Sequence, residues 1–424
     1  MIETPRSNRL HIAIFGRRNV GKSSLINFVT GQDLAIVADV PGTTTDPVYK
    51  AIEILPLGPA VLIDTGGLDD VGELGSKRVA KAREVLRKTD IVLLVVDPRQ
   101  GVSEYEREIV EAARERGLGL VGVRNKADAW DWNLPLSQDL ASLDLPWVDV
   151  SCAESRGLED LKRAIIAAAP ADWDPLGVVR DVVQAGDHLM LVVSIDESMP
   201  KGRLKLPEVQ TLRDALENHV LASIVRDTEF ADALERFPVP DLVVAHSLVV
   251  DHVACLLPDE VPLTTTSTLF ARYKGDLTTF TRGAVVLNDL RPGDRILVAE
   301  ACTHCVMPTD IGRYKIPSWL TQYVGGELEH DHVNGGQFPD ASELRQYKLV
   351  IHCGGCMLNR REMMYRILAC DEAGVPITNY GVMLSYIHGV AERILRPFPE
   401  AHRVLVEAGA EPRVSVALDG AALA

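Results

Sequence analysis

Apolar runs alternate with amphipathic stretches over the first part of the chain, from about residue 10 to residue 169. Five of these runs predict short strands, namely LHIAIF, AVLID, DIVLLVVD, LGLVGVRNK and LPWVDVS. The stretches between them space their apolar residues as helices do. This alternation predicts a mostly parallel sheet with helices on both faces. The Pro- and Asp-rich stretch PADWDPLG that follows predicts a linker.

The middle region repeats the pattern with shorter units. Strands are predicted at HLMLVVSI, LASIVRD and DLVVAHS, and helices at PEVQTLRDALENH and TEFADALERF. The region shows no group of side chains that indicates a reaction. We therefore interpret it as a surface for assembly.

The pattern changes again near residue 263. Two helical stretches precede the strand DRILVAEA, and a long irregular segment leads to a second strand, KLVIHC, which is followed by a helix, the short strand PITNY and a further helix. We therefore predict an α/β chain of three domains over residues 1–170, 171–262 and 263–398. A loosely structured tail is predicted over 399–424.

The composition is that of an ordinary globular protein, with 46% apolar and 25% charged residues. The formal net charge of −16 argues against a nucleic-acid partner, which would require a basic face. Neither a membrane-spanning apolar run nor the apolar core of a signal peptide is found, so we expect a cytoplasmic protein without a membrane partner. The odd number of cysteines, seven, speaks against a disulfide framework.

A glycine-rich segment follows the first predicted strand and opens a helix. Its sequence is Gly16-Arg-Arg-Asn-Val-Gly21-Lys22-Ser23-Ser24. This is the context of a phosphate-binding loop, in which backbone N–H groups surround the β-phosphate and the helix N-terminus favours negative charge. We expect Lys22 to reach the β- and γ-phosphates and Ser23 to bind Mg²⁺.

Two further segments are expected beside the γ-phosphate and Mg²⁺. Asp64-Thr65-Gly66-Gly67 ends the strand AVLID, so Asp64 would hold Mg²⁺ through water and Gly67 would donate its amide to the γ-phosphate. One threonine of the segment PGTTTDP, assigned here as Thr44, is expected to join Mg²⁺ when GTP is bound. The predicted catalytic set is Lys22, Asn19, Thr44, Asp64 and Gly67.

The base is expected to be guanine. Asn125-Lys126-Ala127-Asp128 ends another strand, and the Asp128 carboxylate can accept bonds from the guanine N1–H and N2–H₂, a donor pair that adenine does not offer. Ser151-Cys152-Ala153 follows the last strand and is expected to close over the base with backbone amides. These five elements in order predict a GTPase.

The loop asparagine Asn19, the PGTTTDP segment and Leu68 together resemble the TrmE/Era/Der group of GTPases. Leu68 stands where the Ras pattern has a water-orienting glutamine. In several members of that group the loop asparagine binds potassium, so the resemblance implies K⁺ at Asn19. It also implies slow, switch-like hydrolysis of GTP. The alternative is that Asn19 only caps the loop.

A second group of residues follows two predicted strands near the C-terminus. Its members are Cys302, His304 and Cys305 after DRILVAEA, and His352, Cys353 and Cys356 after KLVI. Residues at the carboxyl ends of parallel strands meet at one edge of a sheet, so the two segments are expected to form one site. A structural Zn²⁺ site is one reading, although the gap exceeds the ~15–20 residues usual for it. Three cysteines with one other ligand or an open position would instead suit a 4Fe–4S cluster, so the spacing alone leaves both metal centres open.

The GTPase segment combined with Cys-x-His and His-Cys-x-x-Cys resembles the HydF family of maturation GTPases, which help to build the active site of FeFe-hydrogenases. The resemblance covers roughly residues 8–395 and implies a homodimer with a GTPase domain, a dimerisation domain and a cluster domain. It implies a 4Fe–4S cluster on Cys302, Cys353 and Cys356. It also implies a di-iron precursor as cargo, received from radical-SAM maturases and passed to the hydrogenase apoprotein.

The fourth cluster ligand stays open in the sequence. His304 and His352 are the first candidates, while Cys305, Glu300 or an exogenous ligand are the alternatives. Two other functions also stay open. One is a TrmE/Era-like GTPase with a structural zinc module that acts in tRNA modification or ribosome assembly. The other is a redox enzyme that uses Cys-x-x-Cys as a dithiol.

Overall fold

The computed structural model describes residues 6–31, 48–66, 75–130, 135–170, 177–195, 204–301, 310–409 and 411–413. The chain divides into two compact units, Met1–Asp174 and Pro175–Ala424. Among the helices of these ranges, none is long and apolar enough to cross a membrane.

The first unit is built on a six-stranded sheet. Its strands are β1 (Leu10–Phe15), β2 (Val48–Ile54), β3 (Gly58–Asp64), β4 (Ile91–Val96), β5 (Gly119–Arg124) and β6 (Trp147–Asp149). The order across the sheet is β2-β3-β1-β4-β5-β6. Only the β2–β3 pair is antiparallel among the described pairings of this sheet. The predicted mostly parallel sheet is thereby confirmed.

Helices cover both faces of this sheet. They are α1 (Lys22–Thr30), α2 (Gly75–Arg87), α3 (Glu104–Glu115), α4 (Gln138–Ala141) and α5 (Leu158–Ala168). Apolar residues of α1 and α5 pack on one face, and those of α2, α3 and α4 pack on the other. Strands β1 and β4 are consequently buried along their whole length, as parallel strands between two helical layers are.

The second unit begins with a four-stranded sheet in which all described pairings are parallel. Its elements are β7 (His188–Val193), α6 (Leu206–Glu217), β8 (Leu221–Arg226), α7 (Phe230–Arg236), β9 (Leu242–Ala245), α8 (Val250–Leu256) and β10 (Leu263–Thr265). The strand order is β10-β9-β7-β8. The three strands and two helices predicted for the middle region are confirmed. The sheet continues past residue 262 into β10.

A second parallel sheet follows, with strand order β12-β11-β13-β14. Helices α9 (Thr266–Lys274) and α10 (Leu277–Val285) lead into it. Its elements are β11 (Arg295–Glu300), α11 (Ile316–Val324), β12 (Glu329–Asn334), α12 (Ala341–Leu344), β13 (Leu349–His352), α13 (Arg360–Ala373), β14 (Ile377–Asn379), α14 (Tyr380–Ile387), α15 (Ala391–Leu395) and α16 (Pro399–Glu407). One apolar core runs through both sheets of this unit.

Two predictions fail in this unit. The segment between β11 and β13 contains α11 and the edge strand β12 where an irregular stretch was expected. Strand β12 carries polar residues on both faces, so its sequence, EHDHVN, lacks the apolar alternation by which a strand is recognised. The tail predicted from residue 399 begins instead with α16, which buries Ala401 and Leu405.

We expect Gly283→Ala to destabilise the second unit. A Cβ at this position of α10 would lie 2.0 Å from the Ile377 carbonyl oxygen, because the helix packs directly on the backbone of β14. Overpacking of this kind costs about 1–3 kcal/mol and outweighs the better helix propensity of alanine. Denaturant unfolding measures the loss. Gly336→Ala is the control, since an added Cβ there meets no atom within 4 Å, and equal stability of the two variants would contradict the prediction.

Candidate functional site

The predicted phosphate loop joins β1 to α1 and has the required backbone. Gly16 and Gly21 have φ angles of +147° and +97°, which other residues rarely adopt. A Cβ on Gly16 would also lie 2.2 Å from the Val95 carbonyl oxygen of β4. Lys22 Nζ lies inside the loop and donates to the carbonyl oxygens of Gly16 and Arg17 at 2.7 and 3.0 Å. The loop therefore surrounds an ammonium group, as phosphate binding requires.

The two residues predicted to bind Mg²⁺ lie side by side. Ser23 Oγ donates to Asp64 Oδ2 at 3.1 Å, so the start of α1 meets the end of β3. The other carboxylate oxygen of Asp64 accepts the Gly66 backbone N–H at 2.8 Å. The remaining predicted members of this part, Thr44 and Gly67, lie outside the described residues.

The segments predicted to bind guanine come together at the ends of β5 and β6. Ser151 Oγ donates to Asp128 Oδ1 at 2.6 Å. Asn125 Nδ2 donates to the Val20 carbonyl oxygen at 2.9 Å, and Lys126 Nζ donates to the Asn19 carbonyl oxygen at 2.5 Å. The side chains of the guanine segment thus tie it to the phosphate loop.

A cavity of about 560 Å³ lies between these segments. Its lining includes seven of the predicted nucleotide contacts, which are Gly21, Ser24, Asn125, Lys126, Asp128, Cys152 and Ala153. Cys152 Sγ donates to Asn125 Oδ1 at 3.4 Å. Burial, with the nearby charge of Asp128, raises the pKa of the Cys152 thiol to about 11. The thiol is therefore neutral and packs beside the base position.

An arginine of the phosphate loop has a structural role that the motif alone does not reveal. Arg17 Nε donates to Glu106 Oε1 at 2.8 Å, and its Nη2 donates to the carbonyl oxygens of Gln100 and Gly101. Glu106 is buried at the start of α3, where it also accepts the Ser103 backbone N–H at 2.9 Å. The loop is thereby fixed to α3.

The strands that precede the two cysteine segments end side by side in the second unit. Cys353 follows β13 directly, and its sulfur accepts the Ala301 backbone N–H at 3.1 Å. Ala301 follows β11 and is the residue before Cys302 in the sequence. Strands β11 and β13 pair in parallel, which places the ends of both strands at one edge of the sheet. Burial raises the pKa of Cys353 to about 11, against backbone hydrogen bonds from Ala301 and Gly355 that lower it.

His352, the last residue of β13, has a buried side chain whose two ring nitrogens are both engaged. It is fully buried, its Nε2 lies 3.0 Å from Arg366 Nη1, and its Nδ1 lies 2.7 Å from the Cys353 carbonyl oxygen. Burial and the Arg366 charge lower the pKa of His352 to about 3, so the ring is neutral. Arg366 also donates to the Gly335 carbonyl oxygen and lies over the Phe338 ring.

Cys353 and two buried acidic residues, Glu300 and Asp310, lie close enough to Tyr380 to affect its pKa. Glu300, the last residue of β11, accepts a bond from the Tyr380 hydroxyl at 3.3 Å. Asp310 is also buried and accepts the Arg313 backbone N–H at 2.9 Å. Burial, followed by the charges of Cys353 and Glu300, holds the pKa of Tyr380 well above its usual value.

Several predicted ligands cannot be placed. Cys302, His304 and Cys305 lie outside the described residues. Within the described ranges, no three His, Cys, Asp or Glu side chains converge as metal ligands do. Cys356 lies three residues after Cys353 and is half-buried. The buried lysine Lys274, which the sequence pattern does not single out, lies close enough for Cys356 to affect it; burial lowers the Lys274 pKa to about 7.

Comparison with known proteins gives relatives for the first unit. The chain is 40% identical over 161 residues to the tRNA modification GTPase MnmE of Moorella thermoacetica, which covers 37% of this chain and 34% of that protein. It is 37% identical over 190 residues to GTPase Der of Kosmotoga olearia, which covers 42% of this chain and 43% of Der. The chain therefore spans less than half the length of these curated relatives. Among solved structures, Era of Aquifex aeolicus aligns with 51% of this chain and 92% of its own, at 20% identity and a TM-score of 0.31.

Three protein-family models match successive parts of the chain. Residues 11–126 match a 50S ribosome-binding GTPase, residues 178–275 match the hydrogen maturase F dimerization domain, and residues 278–397 match the hydrogen maturase F tetramerization domain. The first match agrees with the phosphate loop and guanine segments described above. The other two span the two parallel sheets of the second unit. With both of these domains behind a GTPase domain, the chain belongs to the hydrogen maturase F (HydF) family.

Proposed function

We propose that this protein is a GTP-hydrolysing scaffold that holds a 4Fe–4S cluster and assembles or delivers the di-iron precursor of an FeFe-hydrogenase active site. The cluster would be held by Cys302, Cys353 and Cys356. Radical-SAM maturases would supply the precursor, and the hydrogenase apoprotein would receive it. The dimerization and tetramerization domains indicate that the scaffold works as an oligomer.

One observation carries the cluster assignment. The Cys353 sulfur accepts the backbone N–H of Ala301, the residue that precedes Cys302. Two thiols that are remote in sequence therefore belong to backbone segments in direct contact. The two segments follow the carboxyl ends of β11 and β13. Strands β12 and β13 lie on opposite sides of β11, and ligands usually bind at such a switch point of an open parallel sheet.

The residues present fit an iron–sulfur cluster. Thiolates are its ligands, and backbone N–H···S bonds such as that from Ala301 stabilise them. Gly355 has a φ of +62°, a left-handed conformation that favours glycine, in the turn between Cys353 and Cys356. A bound cluster would supply an iron with an exchangeable coordination position for cargo.

The contacts of His352 also bear on the choice among candidates for the fourth cluster ligand. Both ring nitrogens of His352 already contact Arg366 and the Cys353 carbonyl oxygen, inside a fully buried site. Ligation through either ring nitrogen would break one of these contacts, and ligation through Nε2 would remove one hydrogen-bond partner of the buried Arg366. We therefore assign the fourth position to His304, Cys305, Glu300 or an exogenous ligand.

The nucleotide site is proposed to hydrolyse GTP slowly with Mg²⁺ and K⁺. Ser23 and Asp64 would bind Mg²⁺, and Lys22 would neutralise the phosphates. Asn19 is exposed on the loop with a φ of +62°, and its backbone carbonyl is held by Lys126, so its side chain is free to turn toward the phosphate side. K⁺ at Asn19 would add positive charge where the leaving group develops negative charge.

We expect Asp128→Asn to reverse the base preference. The carboxylate would accept two bonds from guanine, whereas an amide presents a donor that matches the additional carbonyl of xanthine. Loss of two charge-assisted bonds should lower GDP affinity by on the order of 100-fold. Competition between GDP and XDP in direct binding measures the change. Asp139→Asn, an exposed carboxylate outside the cavity, is the control, and unchanged GDP binding by Asp128→Asn would refute the guanine assignment.

Asn19→Gly should abolish stimulation by potassium. Glycine adopts the same positive φ without strain, so only the side-chain ligand is removed. The wild type should turn over GTP several-fold faster in KCl than in NaCl at equal ionic strength, and the variant at equal rates in both. GDP affinity in NaCl serves as the control for an intact loop. Equal stimulation of both proteins would contradict a role of Asn19 in K⁺ binding.

Cys353→Ser should prevent cluster formation. After anaerobic reconstitution with iron and sulfide, the wild type should show the EPR signal of a reduced 4Fe–4S cluster and about four irons per chain. The variant should lose most of both, because a serine hydroxyl replaces a thiolate ligand. Cys255→Ser, which removes an exposed thiol on α8, is the matched control. An EPR-silent wild type with one tightly bound zinc would overturn the cluster and support a structural zinc module.

A further inference from the structure

A tryptophan follows the guanine segment and folds back onto it. Trp130 stands two residues after Asp128, and its indole N–H donates to the Asn125 backbone carbonyl oxygen at 3.0 Å. The short turn Ala127–Ala129 lies between the two bonded residues. The indole therefore closes the segment that carries Asp128 into a small loop.

An arginine side chain packs against the face of this indole. The guanidinium of Arg124 lies 5.0 Å from the centre of the Trp130 ring. Its Nε and Nη2 also donate to the two carboxylate oxygens of Asp149, at 2.5 and 2.6 Å. Arg124 is buried, and bidentate pairing fixes the plane of a guanidinium that stacks on an aromatic ring. The indole therefore packs on a rigid surface.

The Arg124–Asp149 ion pair connects the two segments that would bind the base. Arg124 ends β5 directly before Asn125, and Asp149 ends β6 two residues before Ser151. Arg124 and Asp149 are paired residues of these two neighbouring strands. Ser151 Oγ in turn donates to Asp128 Oδ1 at 2.6 Å. The Arg124–Asp149 ion pair and Ser151 thus connect the Trp130 indole to the Asp128 carboxylate, which would bind the base.

We propose that Trp130, held by Arg124 and Asp149, is a positioning residue that sets the base selectivity of the nucleotide site. The inference rests on the proposed assignment of guanine to Asp128. A carboxylate accepts from both N1–H and N2–H₂ only while it stays in the plane of the base, and a rotated carboxylate keeps one bond and loses the other. Loosening the loop therefore lowers the affinity for guanine nucleotides more than that for hypoxanthine nucleotides, because hypoxanthine has no 2-amino group.

The test compares GDP with IDP on the full chain carrying Trp130→Phe. Phenylalanine keeps an aromatic ring for Arg124 and loses the N–H that binds the Asn125 carbonyl oxygen. We expect the Kd for GDP to rise ~2- to 10-fold, the effect of one hydrogen bond, and the Kd for IDP to change by about twofold at most. Calorimetric titration with Mg²⁺ measures both constants. Arg124→Lys removes the bidentate pair and the stacking plane. It should likewise reduce the preference for GDP over IDP.

The matched control is Trp147→Phe. Trp147 lies in β6 against Gly122, and its indole nitrogen has no hydrogen-bond partner among the described residues. This variant should keep the wild-type ratio of the two constants, and thermal unfolding should show that all variants are folded. An unchanged ratio in Trp130→Phe, or an equal loss of GDP and IDP affinity, overturns the inference. A wild type that binds GDP and IDP equally overturns the guanine assignment itself.

Discussion

Parallel strand pairing is the constraint on which both proposed sites depend, because it brings the carboxyl ends of sequence-remote strands to one edge of a sheet. In the first unit, the segments after β1, β3, β5 and β6 meet at such an edge, where Ser23 contacts Asp64 and Ser151 contacts Asp128. In the second unit, β11 and β13 bring Ala301 to the Cys353 sulfur. Neither meeting results from local structure, so the register of these pairs sets the geometry of both sites.

The two sheets of the second unit share one topology. In each, the second strand in sequence lies on one side of the first and the third lies on the other, giving the orders β10-β9-β7-β8 and β12-β11-β13-β14. The equivalent edge of the middle sheet carries Ser194 after β7 and His246 after β9. The sequence shows no repeat, because a parallel sheet constrains the order and burial of its strands more than the identity of their residues. One strand order thus recurs in the region that matches the dimerization domain and in the region that matches the tetramerization domain.

The predictable features are those encoded locally. The phosphate loop, the guanine segments and most strands were predicted because each depends on a short run of glycines, polar ligands or buried apolar residues. Strand β12 was missed because its polar residues follow no apolar alternation, and α11 was missed with it. The orientation of His352 was also beyond prediction, since it depends on the buried Arg366, an arginine that the sequence pattern shows only as one more charge on a helix. The role proposed for Trp130 was beyond prediction for the same reason, because Asp149 of another strand pairs with the Arg124 guanidinium that lies over the indole.

The protonated state of Cys353 has a chemical consequence of its own. Thiolates, not thiols, react with peroxide and attack disulfides, and burial keeps this sulfur protonated far above neutral pH. The protonated thiol is therefore a poor target for sulfenic acid formation and for closure of a disulfide with Cys356. Binding of the proposed cluster would expel the proton, so the same burial that protects the thiol from oxidants would make cluster loading release acid.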